Sequence, residues 1–311
     1  MGRKKGLAGI PVCSCCNEPA VVYQRHSRRS LCSTHFTSDV EERVFQTMEK
    51  NQMVRAGDRI AVALSGGKDS TALLLLLSRH LPKWEDVSLV AITVDEGIRG
   101  YRDDTIRAAE RVAAHAGVEH SIISFRDLFS DNLDTLLEGR EEHACTVCGI
   151  LRNKALTQGA KNSGSTKIAT GHNLDDEAQS VLMNVLRGDL PRLVRNSALE
   201  TSGCFLPRIK PLAEISEKEV ASYLFINGMF LDLPECPYTR YALRADVRSM
   251  LSGLEHRNPG TMLRLVESKK KIEKYLGGAQ ISGPLRRCRQ CGDPCSGDLC
   301  QVCMLRQSLG R

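Results

Sequence analysis

The chain has 311 residues, 41% of them hydrophobic, and a formal net charge of +6. These values suit a globular protein with one α/β domain of ordinary size and small appendages. The longest apolar run, ALLLLL from Ala72, is far too short to cross a bilayer, and the basic N-terminal segment has no apolar core of signal-peptide length. We therefore expect a cytoplasmic protein with no membrane contact, whose moderate positive charge permits a polyanionic partner.

Thirteen cysteines are the strongest anomaly in the composition. Disulfides rarely persist in the cytosol, so clustered cysteines there indicate metal or redox chemistry. Twelve of the thirteen fall into three groups, one near each end and one in the middle, and only Cys204 stands apart. We interpret Cys204 as a small buried apolar residue.

The first regular element is a helix that follows a cysteine-containing module at residues 1–36. The segment Thr37-Ser38-Asp39 can cap this helix. Its apolar positions share one helical face: Val40, Val44, Phe45 and Met48.

Strand-like and helix-like segments then alternate as far as Pro211. The strand-like segments are short, β-branched and apolar on both faces, as buried parallel strands are: 59–64, 88–94, 120–125 and 166–170. Helices are predicted from Ser70, across 102–116 and after residue 173. This alternation predicts a doubly wound, Rossmann-like α/β sheet whose ligand site lies beyond the carboxyl ends of the strands.

Beyond Pro211 the pattern is helical only, as in 215–229 and 259–275, and a glycine-rich segment leads to the last cysteine group. We therefore predict three domains, with bounds 1–36, 37–280 and 281–311.

A candidate phosphate-binding loop, SGGKDS, follows the first predicted strand, and a helix begins at once. In the common nucleotide-hydrolysing loop the lysine is followed directly by Ser or Thr, whereas Lys68 is followed by Asp69. Glycines let the backbone approach an anion, and the helix N-terminus favours negative charge. We expect ATP here, with Lys68 as a point charge and Asp69 holding Mg²⁺. The predicted nucleotide contacts are Ala63, Ser65, Gly66, Gly67, Lys68, Asp69 and Ser70.

The stretch TGHNLDDEAQ predicts a second part of the same site. Asn173 can cap a helix that has Asp175 and Asp176 in its first turn. These carboxylates can simply be favourable partners of the helix dipole. Alternatively they work at the strand-end crevice, where Gly171 lets nucleotide approach and Asp176 handles metal or protons.

The middle group consists of Cys145, Cys148 and Cys236, an odd number for a closed metal site. Structural zinc takes four ligands and most iron–sulfur clusters four thiolates. Three thiolates on a four-iron cluster would leave one iron open for an external sulfur nucleophile. Two alternatives use the same residues: a persulfide on Cys145 or Cys148 that Cys236 resolves as a disulfide, or a structural metal completed by His143.

Each terminal group matches the spacing of a tetrahedral structural zinc site. The predicted ligands are Cys13, Cys16, Cys32 and His35 in one site, and Cys288, Cys291, Cys300 and Cys303 in the other. Cys15 and Cys295 are surplus, and either can replace a neighbour as ligand. We expect these zinc ions to be structural, because such small modules lack a sufficient core.

SGGKDS after a buried strand resembles the PP-loop ATP pyrophosphatases, which transfer AMP to a carbonyl-type oxygen. The resemblance implies that backbone near Thr93 holds the adenine. Six motifs in order across the chain, VCSCC…LCSTH, ALSGGKDS, ACTVCGILR, TGHNLDDEAQ, ECPYT and CRQC…CQVC, are similar to those of the tRNA 2-thiouridine synthetases of the TtuA/NcsA type.

This second resemblance implies ATP-dependent adenylation of a uridine C2 oxygen in tRNA, followed by sulfur attack and loss of AMP. It implies a [4Fe-4S] cluster with one open iron on the three middle cysteines and a catalytic role for Asp176. Some members have lysine four residues after the second cysteine of the pair, whereas this chain has Arg152. A guanidinium can stabilise phosphate or an oxyanion but is a poor proton donor. We predict Asp176, Lys68 and Arg152 as catalytic residues.

The sulfur donor is left open between free sulfide and a ubiquitin-like thiocarboxylate protein, and a homodimer is common in the family. Two alternative functions are a tRNA 2-thiocytidine synthase, which combines the same loop with an iron–sulfur cluster, and a non-catalytic tRNA-binding scaffold. The intact SGGKDS loop and the three middle cysteines argue against a scaffold, which has no use for either.

Overall fold

A computed structural model describes residues 11–81, 84–194, 205–230, 233–238, 244–276 and 286–309. Cys204, which the sequence predicts to be buried, lies outside these residues. Among the helices described, none has the length and apolarity needed to span a membrane.

The centre of the molecule is a five-stranded parallel sheet, which confirms the predicted doubly wound fold. Its strands are β3 (Arg59–Ala63), β4 (Ser88–Asp95), β5 (Glu119–Ser124), β6 (Lys167–Ala169) and β7 (Arg208–Ile209), in the spatial order β5-β4-β3-β6-β7. β3 and β6 are neighbours, and the chain leaves them in opposite directions. The fold therefore has its topological switch point, the usual ligand position, beyond the ends of these two strands.

Helices cover both faces of the sheet. The longer ones are α1 (Ser33–Lys50), α2 (Lys68–His80), α3 (Arg102–Ala116), α6 (Ala144–Asn162), α7 (Leu174–Leu186), α9 (Glu217–Ile226), α10 (Arg244–Arg257) and α11 (Thr261–Leu276). The short ones are α4 (Phe125–Phe129), α5 (Leu133–Leu136) and α8 (Leu190–Val194). One apolar core lies between the sheet and α1, α2, α3 and α9, and a second lies under α4, α5 and α6.

The predicted start of α1 at Thr37–Asp39 is wrong, because the helix begins at Ser33 with Cys32 as its N-cap. Phe36 is fully buried one turn before Val40, so the apolar stripe extends further back than the predicted cap. Asp39 instead accepts a hydrogen bond of 2.6 Å from Gln24 and joins the helix to the hairpin before it.

The prediction that all strands are apolar on both faces is also wrong. β5 is an edge strand, and the side chain of Ile122 is 45% exposed. β7 has only two residues and carries no pattern that sequence reasoning could detect. α2 begins two residues earlier than predicted, so that Lys68 and Asp69 both lie in its first turn.

The two cysteine modules pack against different apolar cores, one on each face of the sheet. The N-terminal module forms a hairpin of β1 (Val22–Gln24) and β2 (Arg29–Leu31), and Leu31 is fully buried in the α1–α2 core. The C-terminal module contains β8 (Arg286–Arg287), β9 (Pro294–Cys295) and α12 (Gln301–Ser308), whose Leu305 packs against the core under α6. The second module therefore supports the helix that carries the middle cysteine pair.

Candidate active site

The SGGKDS loop connects β3 to α2 at the switch point. Ser70 closes the loop, because its hydroxyl donates to the carbonyl of Gly67 at 2.9 Å and lies 3.0 Å from the hydroxyl of Ser65. Gly67 is the extended N-cap of α2, so the first amides of the helix face the space in front of the loop. Unpaired amides at a helix start are a ready anion site.

Two glycines of the site are needed for packing as well as for ligand access. Gly66 has a φ of +89°, and a Cβ there would lie 2.0 Å from the backbone oxygen of Thr105. A Cβ on Gly171 would lie 2.9 Å from backbone atoms of Asp69 and Ser70. Gly171 therefore lets the loop after β6 touch the phosphate loop directly, which brings both predicted halves of the site together.

Gly66 and Gly67 make a matched pair for a test of the loop. We expect Gly66→Ala to lower the free energy of unfolding by about 2–3 kcal/mol, because the left-handed backbone and the Thr105 carbonyl both oppose a Cβ. Gly67→Ala meets only the Ser65 hydroxyl at 3.6 Å, so its stability should be nearly unchanged while ATP affinity falls. Thermal unfolding and calorimetric titration with ATP measure the two effects. Equal stability of the two variants would contradict this account of the loop.

Lys68 and Asp69 sit within a network of charges that spans three helices. The Lys68 ammonium lies 3.0 Å from Asp69 and 2.8 Å from Glu217 of α9, and Asn173 donates to Asp69 at 2.9 Å. Burial works to lower the pKa of Lys68, but the hydrogen bond to Glu217 and the charge of Asp69 outweigh it and raise that pKa. Lys68 therefore stays cationic beside the loop. Sequence reasoning missed Glu217, which lies about 150 residues further along the chain from Lys68.

Asp175 and Asp176 have different surroundings. Asp176 forms a capping box with Asn173. The backbone N–H of Asn173 donates to the Asp176 carboxylate at 3.3 Å, and the backbone N–H of Asp176 donates to the side-chain oxygen of Asn173 at 3.0 Å. Asp175 accepts a hydrogen bond of 2.8 Å from the backbone of Glu217 and thus joins α7 to α9. Burial raises the pKa of Asp175. The other carboxylate oxygen of Asp176 lies 3.9 Å from the Arg244 guanidinium.

The middle cysteines lie at the same edge of the sheet. Cys145 and Cys148 occupy the first turns of α6, and the Cys145 thiol is 3.9 Å from the carbonyl of Tyr238, two residues after Cys236. Cys148 and Cys236 both contact the core under α6. Burial raises the pKa of Cys148 to about 11. Burial also raises the pKa of Cys236, and the charge of the nearby Cys145 raises it further.

The spacing of these three thiols does not suit a single ion. Within the described part of the chain, the groups of ligand atoms that lie within 4.8 Å of one another are the two terminal ones, and the middle cysteines form no such group. His143, the alternative fourth ligand, is exposed and lies 3.4 Å from Glu142. This arrangement does not favour the alternative in which the three cysteines and His143 hold one metal ion.

Arg152 lies beside the middle cysteines, as its position in α6 predicts. Its guanidinium donates to the Cys148 sulfur at 3.1 Å and to Glu96 at 2.6 Å. Glu96 was missed by sequence reasoning, although it directly follows the end of β4, where ligand sites of such sheets occur. The Thr93 hydroxyl donates to the Leu64 carbonyl at 2.6 Å and the residue is fully buried, so its side chain is not available to a nucleotide.

Both terminal groups bring their predicted ligands together. In the first group, the sulfur atoms of Cys16 and Cys32 are 3.8 Å apart, and His35 Nδ1 is 3.1 Å from the Cys32 sulfur. Sulfur ligands of tetrahedral zinc stand about 3.8 Å apart. Burial works to raise the pKa of Cys13, but backbone hydrogen bonds lower it to about 6, which favours the thiolate that a metal requires.

The surplus cysteine of the first group provides a test. We expect Cys16→Ser to lower bound zinc from about two ions per chain to about one, and Cys15→Ser, at an exposed position, to leave it unchanged. Metal analysis of the purified proteins measures both. Loss of zinc from Cys15→Ser together with retention by Cys16→Ser would mean that the ligand set is wrong.

The comparisons with known proteins agree with this geometry. The PP-loop domain family matches residues 36–250, and the N-terminal LIM domain of 2-thiouridine synthetase TtuA matches residues 12–37. The chain is therefore a PP-loop protein with an N-terminal LIM-type module.

Relatives that match nearly the whole chain define the family within this class of PP-loop proteins. The chain is 32% identical to "tRNA 2-thiolation protein NcsA" of Haloferax volcanii, over 96% of this chain and 98% of that protein. It is 37% identical to "Cytoplasmic tRNA 2-thiolation protein 1" of Mus musculus, over 97% of this chain and 73% of that protein. The solved structure of the U34-tRNA thiolase NcsA from Methanococcus maripaludis with its [4Fe-4S] cluster is similar at 31% identity, with a TM-score of 0.85 over 96% of this chain and 97% of that one. The chain belongs to this family of tRNA 2-thiolation proteins.

Proposed function

We propose that the protein is a tRNA sulfurtransferase that uses ATP to replace the C2 oxygen of a uridine in tRNA by sulfur. The observation that carries this proposal is the placement of a phosphate loop and three cysteines at one edge of one sheet, linked through Arg102, Glu96 and Arg152. The names of the relatives, all tRNA 2-thiolation proteins or a probable sulfurtransferase, support the same reaction.

The nucleotide half of the site would bind ATP with its phosphates at the start of α2. The first-turn amides would donate to the phosphates, the Lys68 ammonium would offset part of their charge, and Asp69 would hold Mg²⁺ against them. The adenine would lie along the backbone near Thr93, at the end of β4. Glu217 pairs with Lys68 and must give up part of this contact when the phosphates arrive.

The sulfur half of the site would use Cys145, Cys148 and Cys236 as ligands of a [4Fe-4S] cluster. The cluster in the related thiolase of Methanococcus maripaludis and the contact of Cys145 with the segment that carries Cys236 support this assignment. Such a cluster, held by three thiolates, supplies an open iron on which a sulfur atom can be held. Arg152, at 3.1 Å from the Cys148 sulfur, provides positive charge at the side where a sulfur anion and an adenylated base would meet.

The reaction would take place in two steps. The uridine C2 oxygen attacks the α-phosphorus of ATP, the bond to the β-phosphate oxygen breaks, and pyrophosphate leaves. A sulfur nucleophile then attacks C2, and the C2–O bond breaks so that AMP departs with the former uridine oxygen. Asp176 would take the uridine N3 proton as the oxygen becomes nucleophilic, and Lys68 and Arg152 would stabilise the charge on phosphate and leaving group.

Further assignments extend this proposal. Zinc would occupy both terminal groups, and the domain bounds 1–36, 37–280 and 281–311 would separate the two zinc modules from the catalytic part. The partners would be tRNA and a sulfur donor, either free sulfide or a ubiquitin-like thiocarboxylate protein, and the chain would work as a homodimer in the cytoplasm. The naming of relatives as cytoplasmic supports the location.

An anaerobic assay with the reconstituted protein, ATP, sulfide and tRNA tests the proposed function. Nucleosides from the digested tRNA are analysed by mass spectrometry, and AMP is measured in parallel. We expect 2-thiouridine and AMP that depends on tRNA. The formation of 2-thiocytidine would mean that the protein is a tRNA 2-thiocytidine synthase. If neither thionucleoside formed and ATP did not bind, the protein would be a non-catalytic tRNA-binding scaffold.

A further inference from the structure

A buried carboxylate lies between the nucleotide and sulfur halves of the site. Glu96 follows β4 directly and is only 2% exposed. Its Oε1 lies 2.6 Å from Arg152 Nε, and its Oε2 lies 2.7 Å from Arg102 Nε. A buried carboxylate is strongly destabilising unless it is paired, and here two guanidinium groups compensate it from opposite sides.

Each arginine also contacts one half of the site. Arg102, at the start of α3 and 3% exposed, donates to the Ser65 carbonyl at 3.0 Å, at the first residue of the phosphate loop. It also donates to the Val94 carbonyl at 2.9 Å, so its contact with Glu96 Oε2 is an ion pair rather than an aligned hydrogen bond. Arg152 donates to the Cys148 sulfur at 3.1 Å.

These contacts form a continuous chain from loop to cysteine. It runs from the Ser65 carbonyl through Arg102, Glu96 and Arg152 to the Cys148 sulfur. Glu96 is the one member that contacts neither the phosphate loop nor a cysteine. Such an ionic network is a physical route by which a displacement at one end can reach the other.

We propose that Glu96 is a positioning residue that couples nucleotide binding at the SGGKDS loop to the Cys148 end of the sulfur site. It holds the Arg152 guanidinium against Cys148 and, through Arg102, ties that guanidinium to the backbone of Ser65. The inference rests on the proposed function for the identity of the two halves, but its test requires neither a cluster nor tRNA.

The test compares ATP binding by cluster-free Glu96→Gln with the wild type, measured by calorimetry. A glutamine side chain carries no charge, and in either orientation its NH₂ group would face one of the two guanidinium groups donor to donor. We expect about tenfold weaker ATP binding. The matched control is Glu119→Gln, which removes a carboxylate from the exposed ion pair with Arg59 and should bind ATP as the wild type does.

The coupling itself is measured by introducing Arg152→Gln into the wild type and into the Glu96→Gln protein. We expect this change to alter ATP affinity about threefold in the presence of Glu96 and not at all in the Glu96→Gln protein. A role of Glu96 in folding alone would not produce this difference. If Glu96→Gln does not fold, Glu96→Asp is used, since its shorter side chain keeps the charge but cannot reach both arginines.

Two results would overturn the inference: Glu96→Gln binding ATP within about twofold of the wild type, or an equal effect of Arg152→Gln in both backgrounds. Failure of the wild type itself to bind ATP would refute the proposed function instead. The two failures are therefore distinguishable.

Discussion

Cys236→Ser should abolish 2-thiouridine formation and leave ATP binding within about twofold of the wild type. Cys236 is the third thiol of the middle group and lies on a separate segment from the pair on α6. With two cysteine ligands left, a four-iron cluster has too few thiolates, so iron should fall from about four ions per chain to near zero after anaerobic reconstitution. Iron analysis, nucleoside mass spectrometry and calorimetry measure the three quantities.

The matched control for this loss is Cys15→Ser, which removes an exposed cysteine outside the middle group. It should keep both iron and activity. If Cys236→Ser retained its iron and formed thionucleoside at the wild-type rate, the cluster assignment would be wrong. The persulfide alternative would then have to place the sulfur on Cys145 or Cys148 without Cys236.

Asp176→Asn is expected to lower the thiolation rate by about a hundredfold or more, with little change in stability. Asparagine keeps an oxygen that can accept from the Asn173 amide, so the capping box of α7 is largely preserved. What it loses is the negative charge needed to take a proton from the uridine. Single-turnover rates and thermal unfolding separate the chemical effect from the structural one.

Asp175→Asn is the control for this second variant, since it makes the same change one residue earlier. Asp175 accepts from the backbone of Glu217, and asparagine can also accept there. We expect its rate to stay within about threefold of the wild type. Comparable rate losses in the two variants would show that the negative charge of this turn, and not a specific base, matters.

The sequence predicted the elements that depend on local patterns. The central residues of β3 and β4 are buried and mostly apolar, and the loop after β3 has the residues that an anion site at a helix N-terminus requires. The terminal ligand groups were predictable because two short spacings determine each one. The family followed from the order of the motifs rather than from any one of them.

What the sequence could not predict depends on contacts distant along the chain. Glu217 reaches Lys68 because α9 packs against α2, and Glu96 acquires its role only when α3 and α6 bring an arginine to each side of it. The start of α1 was misplaced because a cysteine N-cap, Cys32, has no side-chain oxygen and gives no capping signal. β7 exists only through its pairing with β6.

Activation of the uridine by ATP can be followed through the oxygen atom that leaves the base. tRNA carrying ¹⁸O at the C2 position of uridine is thiolated anaerobically, and the AMP produced is analysed by mass spectrometry. We expect one ¹⁸O in the phosphate of each AMP and none in pyrophosphate, because the C2 oxygen becomes a phosphate oxygen before sulfur displaces it. Thiolated tRNA formed together with unlabelled AMP would contradict activation of the base by ATP.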